Sequence, residues 1–347
     1  MTRHSTATWR RAAQASALAL ACVLIPAGPA LADPATDDTS ITSTASYVES
    51  VEKVNDRQVV LNVYSASMDE VFPVQVILPA DTSEPRPVLY LLNGAGGGED
   101  SATWQRQTDI LDFFSDKNVN VVTPVGGAWS YYTDWQQDDP VLGRNKWQTF
   151  LNEELPPLIE EELGTNDKRA LAAISMSATS VFNLAIAKPG FYTAVAAYSG
   201  CAQSSDPIGQ QFIRTTVETW GGADSVENMW GPLDGPGWVE NDPYVNAEKL
   251  RGTKIYMSSG NGLPSYPNDS LDNPRMQDGR ASLPDQLIIG GPIEAATNYC
   301  TANMARRLAE LGIPAEVDFR DRGTHSWGYW QDDIHRSWPF LAEALEL

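Results

Sequence analysis

Short apolar runs alternate along the chain with segments in which apolar residues recur every three or four positions. Apolar runs of this length predict buried strands, and the longer period predicts helices packed on one face. Predicted strands cover residues 58–64, 74–78, 88–92, 119–124, 169–174, 193–198, 254–259 and 315–319. Predicted helices cover residues 104–114, 146–163, 176–187, 293–311 and 330–345. This alternation indicates an α/β fold with a mostly parallel central sheet and helices on both faces.

Three segments interrupt the alternation. Residues 206–242 contain Trp220, Trp230 and Trp238 and predict an inserted, Trp-rich cap region. Residues 261–284 are rich in Pro, Asn and Asp and predict a long loop. Residues 33–44 are polar and predict a disordered lead-in. We therefore expect residues 45–347 to form a single domain, which is a reasonable size for one α/β unit.

The first 32 residues have the pattern of a secretory signal peptide. Three arginines precede an apolar run over residues 17–25, and Ala30-Leu31-Ala32 predicts cleavage before Asp33. The apolar run is too short to span a membrane, and no later run is long enough, so no transmembrane segment is predicted. A lipoprotein anchored at Cys22 is the alternative, but residues 19–21 match a lipobox poorly. The sequence thus predicts a secreted or cell-envelope protein.

The chain is strongly acidic, with 24 Lys and Arg against 45 Asp and Glu and a net charge of −21. Removal of the three leader arginines makes the remainder more acidic still. An acidic surface argues against nucleic acid as a partner, because counterion release requires clustered basic groups. It also argues against electrostatic docking on anionic lipid. A neutral, sugar-like or apolar substrate is compatible with this charge.

Few cysteines and histidines remain after the leader. Cys201 and Cys300 suggest one disulfide in an exported chain, the alternative being two buried thiols. The remaining histidines are His325 and His335, so a histidine-dependent enzyme has two candidates for its base. No zinc site is expected, because no CxxC or HExxH pattern is present.

A possible nucleophile lies where the predicted strand 169–174 meets the next helix. α/β-Hydrolases hold a serine at such a turn, and Ser175 occupies this position. Its neighbours two residues away are Ala173 and Ser177, so the motif departs from GxSxG. A serine that simply caps the helix is the alternative. His325 follows the last predicted strand, which is where the base of a Ser, acid, His order belongs.

Glu294 is the best candidate for the acid between them, because it opens a helix after residues 290–292. An acid in a first helical turn can also serve only the helix dipole. Asp269, Asp272 and Asp278 are rivals in the preceding loop. An oxyanion hole would use the N–H of Met176 and an N–H near Ala95 in the Gly-rich loop after strand 88–92. A flexible turn is the alternative for that loop.

Nine blocks distributed in order along most of the chain carry a family resemblance. The most distinctive reads Gly-Thr-His-Ser-Trp at residues 323–327. The others are residues 122–127, 132–135, 146–151, 154–156, 174–176, 229–232, 241–243 and 260–262. Together these blocks resemble the mycolyltransferases of the antigen 85 type. The resemblance implies an α/β-hydrolase fold and a secreted enzyme of mycolic-acid actinobacteria.

The resemblance also implies roles and substrates. Ser175 would be the nucleophile, His325 the base and Glu294 the acid, with the N–H groups of Ala95 and Met176 as oxyanion donors. The donor would be trehalose monomycolate. The acceptor would be a hydroxyl of trehalose, of the arabinogalactan of the wall or of a protein. No metal or organic cofactor is implied.

The expected substrate-binding residues are Asn93, Gly94 and Trp327. The family has an Asp and an Arg that hold trehalose where this chain has Asn93 and Gly96, and a sugar-binding Asn where it has Ala102. We therefore expect the acyl-transfer machinery to carry over better than the trehalose site. Two alternatives stay open, a secreted carboxylesterase that uses water and a non-catalytic wall-binding module on the same fold.

Overall fold

A computed structural model describes residues 45–347, except residues 278, 280 and 281. The predicted signal peptide, its cleavage site before Asp33 and the lead-in to residue 44 lie outside the described residues. Within the described part of the chain, no helix is long and apolar enough to cross a membrane.

The described residues build one sheet of nine strands in the order β1-β2-β3-β5-β4-β6-β7-β8-β9. The strands from β5 to β9 along this order are parallel, whereas β1, β2, β3 and β5 pair antiparallel. The strands are β1 (Tyr47–Asn55), β2 (Gln58–Ser65), β3 (Glu70–Ile77), β4 (Val88–Leu92), β5 (Asn120–Pro124), β6 (Arg169–Ile174), β7 (Ala194–Tyr198), β8 (Lys254–Ser259) and β9 (Glu316–Phe319). The mostly parallel sheet predicted from the sequence is confirmed.

Helices cover both faces of the sheet. They are α1 (Trp104–Gln107), α2 (Ile110–Phe113), α3 (Trp147–Thr149), α4 (Leu155–Leu163), α5 (Met176–Ala187), α6 (Pro207–Arg214), α7 (Glu227–Trp230), α8 (Pro236–Glu240), α9 (Pro274–Gln277), α10 (Leu283–Asp285), α11 (Gly291–Glu310) and α12 (Trp327–Ala344). Single π turns join α3 to α4 at Phe150–Glu154, extend α6 at Thr215–Trp220 and precede α11 at Gln286–Gly290, and a 3₁₀ turn covers Ala247–Leu250.

The central strands are apolar throughout because both of their sides are covered. Along β6, Leu171 and Ala173 pack into the core beneath α5, whereas Ala170 and Ala172 face the second core, to which α12 contributes Ile334. Strands that are buried on both faces have continuous apolar sequences, and for this reason the central strands could be predicted from the sequence.

The structure differs from the predicted elements in places where burial is partial. Strand β1 was not predicted, because it is an almost wholly exposed edge strand without apolar alternation. The predicted helix 104–114 is broken into α1 and α2 around Thr108. The final helix begins at Trp327 rather than at residue 330. The predicted loop 261–284 contains the short helix α9.

The cap region 206–242 is inserted between β7 and β8 and contains three short helices and a π turn. Trp230 and Trp238 are buried and their rings meet edge to face, with centroids 5.1 Å apart. Trp220 is about half exposed. The cap is therefore held by two of its tryptophans, and the third lies at its surface.

Candidate active site

Ser175 lies in the turn between β6 and α5, with φ of 56° and ψ of −127°. This backbone conformation is unfavourable for a residue with a side chain and occurs mostly at functional sites. The Ser175 N–H donates to the carbonyl oxygen of Tyr198 at 2.9 Å, which joins the turn to β7. The Ser175 hydroxyl lies 2.8 Å from Nε2 of His325. It thus faces an imidazole instead of capping the helix.

The turn is tight because its neighbours are small. A Cβ added to Gly200 would lie 2.7 Å from Cβ of Ala178 in the first turn of α5. A Cβ on Gly94 would lie 3.8 Å from Cβ of Ser175. The buried Ser177 donates its hydroxyl hydrogen bond to the carbonyl oxygen of Asn93. Ser177 therefore joins the turn to the loop after β4 in a way that glycine could not.

His325 is held on three sides. Its Nδ1 lies 2.8 Å from Oε2 of Glu294. Its backbone N–H donates to the carbonyl oxygen of Gly290 at 3.1 Å, and its ring packs edge to face on Trp330 with centroids 4.9 Å apart. Because Nδ1 faces a carboxylate, Nδ1 carries the proton of the neutral ring and Nε2 is free to accept the proton of Ser175.

Glu294 is completely buried, and its two oxygens have different partners. Oε2 accepts from His325, whereas Oε1 accepts from the Gly260 N–H at 2.6 Å, the Ser199 hydroxyl at 2.9 Å and Nη2 of Arg320 at 2.9 Å. Burial alone would raise the pKa of Glu294, but the hydrogen bond and charge of His325, the charge of Arg320 and the Gly260 N–H hold it below its ordinary value. Glu294 is therefore a carboxylate at neutral pH.

The other candidates are placed elsewhere. Asp269 accepts hydrogen bonds from the hydroxyls of Thr324 and Tyr329, so it joins its loop to the residue before His325. Asp272 is exposed, and Asp278 lies outside the described residues. His335 pairs with Asp109 at 2.9 Å. Among the described candidates, the structure therefore brings His325 to Ser175 and Glu294 to His325.

A mainly apolar cavity of about 120 Å³ adjoins Ser175. Ala95 and Met176 lie on its wall beside Ser175 and His325. Met176 is the first residue of α5, and first-turn N–H groups have no acceptor within their helix. The Ala95 carbonyl oxygen accepts from the Trp129 N–H at 2.7 Å, which fixes the Gly-rich loop. The cap contributes Phe212, Thr216 and Trp220 to the far wall.

The expected substrate-binding residues do not all reach the surface of the site. Asn93 is completely buried, and its Oδ1 accepts from the Trp104 N–H at 3.1 Å. Asn93 therefore lies behind the loop in this structure, and its role as a sugar contact stays a prediction. Gly94 lies against Ser175, and Trp327 is half-buried with its ring edge to face on Trp104, at 5.5 Å between centroids.

Cys201 and Cys300 form a disulfide with a Cα–Cα distance of 4.8 Å, so the predicted pairing is confirmed. Cys300 lies in α11, six residues after Glu294, and Cys201 lines the cavity beside Ser175. The bridge therefore attaches the helix of the acid to the segment that follows β7.

The residues that hold Glu294 and Arg320 in place were not predicted from the sequence. Ser199, Gly260 and Arg320 directly follow strands β7, β8 and β9, just as Ser175 follows β6. The carboxyl ends of adjacent parallel strands meet at one edge, so this position was a usable signal. Asp333 lies within α12 and is buried against Arg320, and no local pattern marks it.

Comparison with known proteins agrees with this geometry. Residues 65–341 match the family described as "Putative esterase". The chain is 32% identical over 267 residues to the diacylglycerol acyltransferase/mycolyltransferase Ag85A of Mycobacterium tuberculosis, covering 75% of this chain and 74% of the relative. It is 30% identical over 293 residues to Ag85B of Mycobacterium intracellulare, covering 82% of each.

Solved structures support the fold. MPT51 (FbpC1) of Mycobacterium tuberculosis superposes with a TM-score of 0.66 at 23% identity, covering 82% of this chain and 97% of that one. An S-formylglutathione hydrolase from Agrobacterium tumefaciens superposes with a TM-score of 0.58 at 16% identity, covering 86% and 99%. The chain belongs to this esterase family of α/β-hydrolase fold, with the antigen 85 mycolyltransferases as relatives.

Proposed function

We propose that this protein is a serine-dependent acyltransferase that moves a mycoloyl group from trehalose monomycolate to a hydroxyl acceptor in the cell envelope. The observation that carries the proposal is the continuous hydrogen-bonded chain from Ser175 through His325 to Glu294, with 2.8 Å at each step, beside an apolar cavity. The acyltransferase relatives support the same chemistry.

Acylation begins when the Ser175 oxygen attacks the ester carbonyl and Nε2 of His325 takes the hydroxyl proton. Glu294 keeps Nδ1–H oriented and stabilises the imidazolium that forms. The N–H groups of Ala95 and Met176 are the proposed donors to the oxyanion, and such donors act where negative charge develops. The imidazolium then gives its proton to the departing sugar oxygen, which leaves an acyl ester on Ser175.

Deacylation reverses these roles. An acceptor hydroxyl loses its proton to Nε2 of His325 and attacks the acyl ester, and the proton returns to the Ser175 oxygen. Water in place of the alcohol would make the protein an esterase. The same residues perform both reactions, so the acceptor decides which one is observed.

The non-catalytic alternative would need an interrupted triad, whereas Ser175, His325 and Glu294 all lie within hydrogen-bond distance of their partners.

We propose that the acceptor is a hydroxyl group of a molecule other than trehalose. Asn93 is buried and uncharged, Gly96 has no side chain and Ala102 has no polar group, so the Asp, Arg and Asn expected to hold trehalose have no counterparts at these three positions. Losing charge-assisted hydrogen bonds of about 1.5–3 kcal/mol each should weaken trehalose binding by orders of magnitude.

The deciding experiment incubates the purified protein with trehalose monomycolate and identifies the products by mass spectrometry. We expect consumption of the donor, release of trehalose and little dimycolate, with the acyl group moved to an added wall glycan or to a serine-containing wall protein. Free mycolic acid as the main product with every acceptor would favour the esterase. Dimycolate that forms efficiently and saturates with trehalose would contradict the proposed acceptor. No consumption by the wild type, with Ser175→Ala as control, would contradict the function.

A further inference from the structure

A buried ion network continues from Glu294 on the side away from His325. Arg320 is the first residue after β9, and its side chain is 6% exposed. Its Nη2 donates to Oε1 of Glu294 at 2.9 Å, and its Nη1 donates to the carboxylate of Asp333 on α12. Asp333 is completely buried. Five side chains therefore form one chain of hydrogen bonds from Ser175 to Asp333.

The two carboxylate oxygens of Glu294 have different hydrogen-bond donors and therefore different roles. Oε1 accepts from Arg320, from the Gly260 N–H and from the hydroxyls of Ser199 and, at 3.3 Å, Ser259. Oε2 accepts from His325 at 2.8 Å, with the Thr297 hydroxyl farther away at 3.4 Å. A guanidinium is a planar fork that can bind two carboxylates at once, whereas a lysine ammonium is a point charge on a flexible stem. Held by Asp333 through Nη1, Arg320 therefore fixes the position of Oε1 through Nη2, and Oε2 is left facing His325.

The same guanidinium has an electrostatic cost. In a buried setting, a positive charge next to Glu294 opposes the imidazolium that forms on His325 during catalysis. The carboxylate of Asp333 offsets that charge. Without Asp333, Arg320 would still hold Glu294 in place but would weaken its support of the imidazolium.

We propose that Arg320 is a positioning residue for the Glu294–His325 pair and that Asp333 anchors it and balances its charge. The inference rests on the proposed function only in requiring Ser175 to act as a nucleophile. It does not depend on the identity of donor or acceptor.

Few other charged groups face Asp333 within the described chain. Arg336, on the same helix, lies 3.5 Å away with its side chain about half exposed, and it also meets Asp318 of β9 at 3.4 Å. Tyr198 of β7 and Tyr256 of β8 stay neutral, because burial raises the pKa of each phenol. Tyr329 stacks near the Arg320 guanidinium, and burial raises its pKa too. The local charge is therefore set by Glu294, Arg320 and Asp333, with Arg336 at the rim.

The test measures acylation itself, as the burst of nitrophenolate from p-nitrophenyl butyrate, between about pH 5 and pH 9. Asp333→Asn keeps the shape and removes the balancing charge. We expect its burst rate to fall about tenfold above about pH 6, where Asp333 is ionised, and the acid limb of its pH profile to move to lower pH, because the imidazolium loses a nearby anion. In Arg320→Lys, kcat should fall roughly tenfold to a hundredfold with little change in KM, because Glu294 is misplaced while substrate binding is kept.

The control is Arg169→Lys, which alters another largely buried arginine, paired with Glu160 at the opposite end of β6. It should change stability without moving the burst rate or the pH profile. The double variant Arg320→Met, Asp333→Leu removes both charges together. If it folds and keeps the wild-type rate and profile, the network serves stability alone and the inference is overturned.

The two proposals fail in different ways. A wild-type protein that neither releases nitrophenolate nor is labelled at Ser175 by a fluorophosphonate contradicts the proposed function. If the wild type shows a burst and Asp333→Asn has the same burst rate and pH profile, only the inference about Arg320 and Asp333 is contradicted. If Arg320→Lys does not fold, the near-isosteric Asp333→Asn still decides the question.

Discussion

The backbone N–H of His325 donates to the carbonyl oxygen of Gly290, four residues before Glu294, at 3.1 Å. The loop of the base and the helix of the acid are thus joined through their backbones as well as through their side chains. The two segments also pack closely here, since a Cβ added to Gly290 would lie 3.3 Å from the carbonyl oxygen of His325. The orientation of the imidazole therefore depends on the turn before α11 as much as on the carboxylate.

The first prediction concerns the nucleophile. Ser175→Ala should lower acyl transfer by about 10⁴-fold or more while the circular dichroism spectrum stays unchanged, because only one hydroxyl is lost. A fluorophosphonate should label Ser175 in peptide mass mapping. Labelling at the buried Ser177 or Ser180 in its place would show that the assignment is wrong.

The two histidines should differ sharply. His325→Ala should be nearly as severe as Ser175→Ala, because the proton acceptor is removed. His335→Ala should change activity by less than about twofold, since surface changes away from special features have small effects. His335 stacks on Phe113 and pairs with Asp109. Steady-state rates of both variants check this, and a large loss in His335→Ala alone would reverse the roles.

The cavity should receive the part of the acyl chain next to the ester. It holds about 120 Å³, and an engineered cavity of about 150 Å³ is enough for benzene, so a phenyl group would nearly fill it. Thr216→Phe should therefore slow turnover of p-nitrophenyl decanoate roughly tenfold or more and leave p-nitrophenyl acetate little changed. Thr216→Val is the control of matched size. Equal losses with both esters would indicate general damage instead of a blocked pocket.

The disulfide should contribute strongly to stability. It closes a loop with a sequence separation of 99 residues, and the chain-entropy model gives about 4–5 kcal/mol as an upper expectation. Urea unfolding of the Cys201→Ser, Cys300→Ser variant should show a loss of this order or less. Intact-mass analysis without reductant should find the wild type two hydrogens lighter than its reduced form. A variant as stable as the wild type would contradict the prediction.

Asp333 should make stability depend on pH. Burial raises its pKa from 3.8 to about 6, against the opposing charge of Arg320. The folded state then binds the proton of Asp333 more tightly than the unfolded state does. Protonation of Asp333 therefore stabilises the folded state fully below pH 3.8, and this stabilisation is lost as pH rises through about 6. Relative to Asp333→Asn, the wild-type free energy of unfolding should fall by at most about 3 kcal/mol across this window. The free energy of unfolding in urea, measured against pH for both proteins, checks this prediction. It is wrong if the two curves are parallel.

Much of the fold and part of the site could be predicted from the sequence alone. The strands β4, β6 and β7 are buried on both faces, so their apolar runs record their environment locally. Ser175 follows the buried strand β6 and His325 comes after the last strand, β9, so their order in the chain predicted that they meet. The pairing of Cys201 with Cys300 followed from an even cysteine count.

Other features were decided only by the tertiary structure. Exposed β1 has no apolar pattern and is held by its hydrogen bonds to β2. The burial of Asn93 depends on the packing of α1 behind its loop, which no local motif encodes. Arg320 and Asp333 look like ordinary surface charges in the sequence, and they become part of the site because β9 and α12 bring them to Glu294. Local patterns determine which side chains can be buried, whereas the assembled sheet determines which charges must be buried together.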